Sequence, residues 1–266
     1  MNIFYWLHNY TPQALAFNLG VLNIYWYGII MAVAILLSVL LAIRIARFRN
    51  VEAKKIIDLA TGAIIGGIIG ARIYEIFLEF DYYSNSPLEI LKIWHGGLAI
   101  HGAIIGAVLV LIPAIRYLKY NLEDILAIFA PALALGQAIG RFGNWFNQEL
   151  YGAPTNLAFS IPIDIVHRSF YYINYNYFHP TFLYESLGLF VLAAFLYYLA
   201  KRQQCACRLI IGIYLIGAGL LRFVLEFIKI DETIIIYGIR WPQIFSLLMI
   251  IGGLIIIFYK KRRLSY

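Results

Sequence analysis

Long apolar runs, parted at intervals by short polar stretches, dominate this chain. Seven stand out, over about residues 19–43, 57–78, 97–118, 125–145, 181–200, 209–228 and 240–259. A helix of roughly 20 apolar residues, rising ~1.5 Å per residue, crosses the ~30 Å hydrocarbon core of a bilayer. The pattern therefore predicts an all-α protein, a polytopic transmembrane helical bundle of seven spans forming a single domain over residues 1–266. Thr61 and several glycines interrupt the second run, which helices tolerate inside membranes. The longest stretch between runs, 146–179, is rich in Tyr, Asn and Phe and carries Pro154 and Pro162. It reads as a small cap near the lipid headgroups, the level that amphipathic aromatic side chains favour.

Composition supports the bilayer. Of 266 residues, 62% are hydrophobic and 13% charged, with a mean hydropathy of +0.78. Soluble domains average about 45–50% apolar and about 25% charged residues. The net charge of +7 raises nucleic acid as a partner, but the placement of the basic residues argues against it. Arg44, Arg47, Arg49, Lys54 and Lys55 follow the first run, Arg116 and Lys119 the third, and Lys201, Arg202 and Arg208 the fifth. Lys260, Lys261, Arg262 and Arg263 follow the last, whereas the alternate loops hold only Lys92, Arg168, Lys229 and Arg240. This asymmetry is the positive-inside signal, and it predicts an N-terminus outside, a C-terminus inside and an outer cap at 146–179. Cys205 and Cys207 are too close for a disulfide framework, lack partners for a zinc site and read as loop residues. No Lys, Arg, Asp or Glu precedes Arg44, so the first run lacks the basic flank of a cleaved signal peptide and is expected to stay in the mature protein.

Glycines four residues apart mark helix faces that pack closely: Gly62, Gly66 and Gly70, then Gly102 and Gly106, then Gly136 and Gly140. Three consecutive runs with this spacing predict a tight central bundle. Three arginines lie toward the outer ends of their runs, where an ionisable group needs a partner or a polar cavity. Arg72 has Glu75 and Glu79 at +3 and +7, and Arg222 has Glu226 and Lys229 at +4 and +7. Arg141 is followed by Asn144, Asn147, Gln148 and Glu149. They read as interhelical salt bridges, as arginines snorkelling to the outer interface or, if they converge on one layer, as a polar cavity. Guanidinium binds phosphate through two parallel hydrogen bonds, so the anionic guest of such a cavity is a lipid phosphate. His101 is either a hydrogen-bonded helix contact or a general base. Tyr27 lies in an aromatic stretch of the kind common at membrane interfaces. His179-Pro180-Thr181 reads as the start of the fifth span, with Tyr184 and Glu185 one turn in.

The segment Gly140-Arg141-Phe142-Gly143-Asn144-Trp145-Phe146-Asn147-Gln148-Glu149-Leu150-Tyr151-Gly152 matches the pattern G-R-x-G-N-x-x-N-x-E-x-x-G. In this it resembles the bacterial prolipoprotein diacylglyceryl transferases. Trp26-Tyr27-Gly28, Gly70-Ala71-Arg72, Gly96-Gly97 through His101-Gly102, His179-Pro180 with Tyr184-Glu185, and Arg222 with Glu226 agree in order, so the resemblance spans the chain. It departs from the family at Ala103, where a glycine is usual, and at Lys229, where many members have arginine.

The resemblance implies a seven-span enzyme of the bacterial plasma (inner) membrane. Such an enzyme moves diacylglyceryl from phosphatidylglycerol to the lipobox cysteine thiol of a prolipoprotein signal peptide, forming a thioether and releasing glycerol phosphate. It implies Arg141 and Arg222 on the donor phosphate, and Asn144, Asn147, Glu149 and Gly152 around the headgroup. Glu226 would orient Arg222, and Arg72, Tyr184 and Glu185 would line the same site. His101 is its candidate for taking the thiol proton, with Tyr27 orienting the thiol or doing the same job. No metal cluster and no cofactor motif is read. A secondary transporter of a small anionic or lipid-derived solute is the alternative from another class, although no inverted repeat relates the two halves.

Overall fold

The computed structural model describes residues 3–20, 23–202 and 204–259. Lys260, Lys261, Arg262 and Arg263 lie outside the described residues. A short helix α1 (Ile3–Asn9) leads into a hairpin of β1 (Leu15–Asn18) and β2 (Asn23–Tyr25). Helices α2 (Trp26–Phe48) and α3 (Ala53–Leu78) follow, then a short α4 (Phe80–Asn85), two 3-10 turns and α5 (Ile100–Tyr117). After α6 (Leu122–Phe146) comes the segment expected as the cap, whose ladder pairs β3 (Ile161–Pro162) with β4 (Tyr177–Phe178). Next come α7 (Thr181–Lys201), α8 (Cys207–Leu225), a hairpin of β5 (Ile235–Ile236) and β6 (Ile239–Arg240), and α9 (Trp241–Phe258). Among the described residues, α2, α3, α5, α6, α7, α8 and α9 are long and apolar enough to cross a membrane. The seven-span, mainly helical reading stands.

The first span is displaced. Of the residues expected in it, Asn23, Ile24 and Tyr25 form β2, and helix starts only at Trp26. Gly20 takes φ +78° and donates its N–H to Asn18 Oδ1 at 2.8 Å, a local turn that halts the strand. Hydropathy does not separate an apolar hairpin from an apolar helix, and the helix instead runs on past Arg44 and Arg47.

Packing divides the chain into two compact units, one of residues up to Ala42 with those from Ala127 onward, the other of residues 43–126. In the second unit the glycine faces of α3 and α5 meet backbone to backbone. A Cβ on Gly70 would stand 2.8 Å from Gly106 Cα, and one on Gly66 2.8 Å from the Gly106 carbonyl. The third glycine face does something else. Gly140 faces Met31 and Gly136 faces Ser38, so this face of α6 packs on α2.

In the first unit, Ala138, Leu189 and Ala218 bring α6, α7 and α8 together, with Met249 of α9 packed against them. Two polar ties cross this core: Ser186 donates to the Ala138 carbonyl at 2.8 Å, and Gln137 donates to the Tyr214 hydroxyl at 3.1 Å. The cap has its own apolar core, in which Trp145 and Phe182 stack against Leu7, Tyr151, Ile161, Ile163 and Phe178. Gln148 ties it further, donating to the Pro12 carbonyl at 2.9 Å and to Asp164 at 2.8 Å while accepting the Asp164 N–H at 2.6 Å.

Candidate active site

The ends of α6 and α8, the starts of α2 and α7, and the segments that follow α6 and α8 bring a cluster of polar residues together in the first unit. Arg141 lies near the end of α6. It donates to Asn144 Oδ1 at 3.1 Å and forms an ion pair with Glu185 Oε1 at 2.5 Å. Glu185, on the second turn of α7, is 4% exposed, and its other oxygen accepts from Lys229 Nζ at 3.1 Å. Asn144 is buried and passes the chain on, donating to Glu149 Oε1 at 2.8 Å. Glu149 itself is exposed.

Arg222, on the last turn of α8, acts on the Glu185 carboxylate through space. Its Nε is buried and has no hydrogen-bond partner among the described residues. Arg141, Lys229 and Arg222 are thus three cations around one buried carboxylate, and the surplus positive charge suits an anion. The ring of Tyr27 covers Gly143, where a Cβ would stand 2.7 Å from it, and its hydroxyl is within electrostatic reach of Arg141 and Glu149.

Gly152 fixes how the cap joins this cluster. It forms a β-bridge with Lys229 and donates its N–H to the His179 carbonyl at 3.0 Å. A Cβ there would stand 2.8–2.9 Å from His179, Ile228 and Thr181. Thr181 in turn donates to the Leu150 carbonyl. His179 Nδ1 shares a 3.1 Å hydrogen bond with the Tyr184 hydroxyl, and burial lowers the pKa of its imidazole. Burial raises that of the Tyr151 phenol, against the Ser169 N–H and Arg168, which act the other way. Asn147 is half-buried, and its N–H donates to the Gly143 carbonyl.

These contacts accompany wider similarity. A family model described as prolipoprotein diacylglyceryl transferase matches residues 14–259. The chain belongs to the prolipoprotein diacylglyceryl transferase family. It is 40% identical over 262 residues to the phosphatidylglycerol–prolipoprotein diacylglyceryl transferase of Synechococcus elongatus, covering 96% of this chain and 90% of that one. The like-named proteins of Finegoldia magna and Listeria welshimeri are 40% and 39% identical, over 93% and 94% of this chain and 96% and 90% of theirs. With its seven apolar helices, this family member is a multi-pass protein of the bacterial inner membrane.

Within this transferase-family chain two expected pairings are not made. Glu226 does not orient Arg222: its Oε1 accepts from Arg240 Nε at 2.7 Å, because the β5–β6 hairpin folds Arg240 back onto the end of α8. Arg72, in the second unit, does not pair with Glu75 or Glu79. It is buried, and donates to the carbonyls of Ile90, Gly96 and Gly97 at 2.7–3.0 Å and to the Tyr83 hydroxyl at 2.9 Å. It also donates to the carbonyl of Glu89, so it ties down the loop after α4. Glu75 and Glu79 instead line, with Arg72, a cleft of about 320 Å³. Gly97, at φ +72°, passes so near that a Cβ would stand 2.7 Å from both Arg72 and the Tyr83 hydroxyl. His101 is exposed on the first turn of α5, its ring 6.1 Å from that of Tyr74.

Sequence reasoning missed Arg240, which read as an outer-loop charge. Its one signal is Tyr237-Gly238 three residues earlier, a turn pair that sends the chain back on itself. Among the described residues, no group of three His, Cys, Asp or Glu is placed to hold a metal ion.

Proposed function

We infer that this chain transfers the diacylglyceryl group of phosphatidylglycerol to the cysteine thiol of a prolipoprotein lipobox. The thiolate sulfur attacks the glyceryl carbon that carries the phosphate ester. The carbon–oxygen bond breaks, a thioether forms, and glycerol phosphate leaves. The phosphodiester becomes a monoester, so negative charge grows on the leaving group during the step. Stabilising that growing charge is what fixed cations in a dry site do best.

One observation carries the reading: Arg141, Lys229 and Arg222 surround one buried carboxylate, that of Glu185, and Arg222 Nε still lacks an acceptor. Arg141 and Arg222 are the phosphate ligands in this reading, with Lys229 adding charge without a fork. Asn144, Asn147, Glu149, Gly152 and Tyr184 shape the headgroup pocket. His101 takes the thiol proton, or Tyr27 does so while orienting the thiol, since thiolate is the nucleophile. Family membership leaves the transporter alternative without support.

The test is transfer in proteoliposomes that contain phosphatidylglycerol and a lipobox peptide. Arg141→Ala is expected to lower the rate at least about a hundredfold with the fold intact, the scale of losing one charge-stabilising donor. Near-normal transfer by that variant would remove the phosphate assignment. Substantial activity of His101→Gln at alkaline pH would place the base elsewhere.

A further inference from the structure

Arg222 and Glu226 stand one helical turn apart, the spacing at which such residues ordinarily pair. They do not pair, because a second guanidinium reaches the carboxylate. We propose that Arg240 is a positioning residue for the lipid donor: by holding Glu226 it keeps the Arg222 guanidinium available to the donor phosphate. This rests on the reading of Arg222 as a phosphate ligand.

Glu226 is 2% exposed, so its charge requires a cation beside it. Arg240 supplies one at 2.7 Å through Nε. Its two terminal nitrogens donate to the carbonyls of Lys229 at 2.9 Å and Asp231 at 2.8 Å, and one lies 3.5 Å from the Asp231 carboxylate. The guanidinium is therefore clamped on every edge. Its backbone is fixed too. The turn at Tyr237 and Gly238, both at positive φ, lays β6 against β5, and the Arg240 N–H donates to Gln243 Oε1 at 3.2 Å where α9 begins.

Arg222 gains from this arrangement. With Glu226 engaged, its guanidinium keeps both charge and donors. Were Arg240 uncharged, Glu226 would remain buried just past the end of α8, with Arg222, whose Nε has no acceptor, one turn back. The pair that formed would cover one edge of the fork and cancel the charge the phosphate needs.

The experiment measures phosphatidylglycerol binding by the purified full chain in nanodiscs of graded phosphatidylglycerol content. Arg222→Ala and Arg240→Ala are each expected to weaken binding tenfold or more. Arg240→Ala/Glu226→Gln recovers most of the Arg240→Ala loss, since an amide does not compete for the guanidinium. Arg240→Gln, which loses the charge but keeps a donor for the Lys229 carbonyl, takes the place of the alanine variant if that one does not fold. Normal binding by Arg240→Ala, beside weakened Arg222→Ala, overturns the proposal while leaving the phosphate reading in place. So does a double variant no better than Arg240→Ala, which would make Arg240 only a brace for the hairpin. Normal binding by Arg222→Ala removes the phosphate reading itself, and this proposal with it.

Discussion

Glu185 is the residue on which the cluster in the first unit depends. It is buried between Arg141 and Lys229, and both cations lose this shared carboxylate if it is removed. Truncating one partner of a buried ion pair costs about 3–5 kcal/mol, because the other charge is left uncompensated. Glu185→Ala is therefore expected to unfold several degrees earlier than wild type in a detergent melt, with Glu185→Gln intermediate. At His179 the relevant variable is pH. Burial lowers its pKa, so the folded chain resists a proton that the unfolded chain accepts below about 6.5. The protein accordingly loses stability as pH falls through that value. His179→Gln removes this penalty, and its melting temperature should close on that of wild type between about pH 8 and pH 5.5. A gap independent of pH would count against the buried neutral imidazole.

The helices were largely legible in the sequence, and the turns between them were not. Six of the seven spans begin and end within a few residues of their apolar runs, since hydrocarbon thickness sets both. The exception, α2, starts late because Gly20 and Asn18 make a turn inside an apolar stretch. Helical spacing gave Glu226 to Arg222 by default, and only the hairpin at Tyr237-Gly238 shows why Arg240 wins it. Glu185 and Lys229 sit far apart in sequence, so nothing local announced their bond.

The glycine faces were legible as faces, though not their partners. Gly106→Leu is expected to prise α3 from α5, because its Cβ would stand 2.9 Å from Gly70 Cα. Gly28→Ala meets nothing within 4 Å and should be tolerated. Disulfide trapping between cysteines placed along α3 and α5 distinguishes the two outcomes: it fails in Gly106→Leu and persists in Gly28→Ala.

At the scale of the whole molecule, the apolar faces of the long helices are exposed in the isolated chain, among them Ile65, Ile69, Leu109, Val191 and Ile255. Contiguous apolar surface of this extent is covered by lipid in a membrane protein, so the chain is expected to aggregate when detergent is diluted below its critical concentration. The first unit has another property: it is made of both ends of the chain, with residues 43–126 inserted between them. Tyr27 is synthesised early, Arg141 and Glu185 midway, and Arg240 last. On the ribosome, Glu226, just past the end of α8, therefore leaves the exit tunnel ahead of Arg240, which neutralises it. The charge waits for its partner until the β5–β6 hairpin follows, so the proposed donor site is among the last parts of the molecule to be completed.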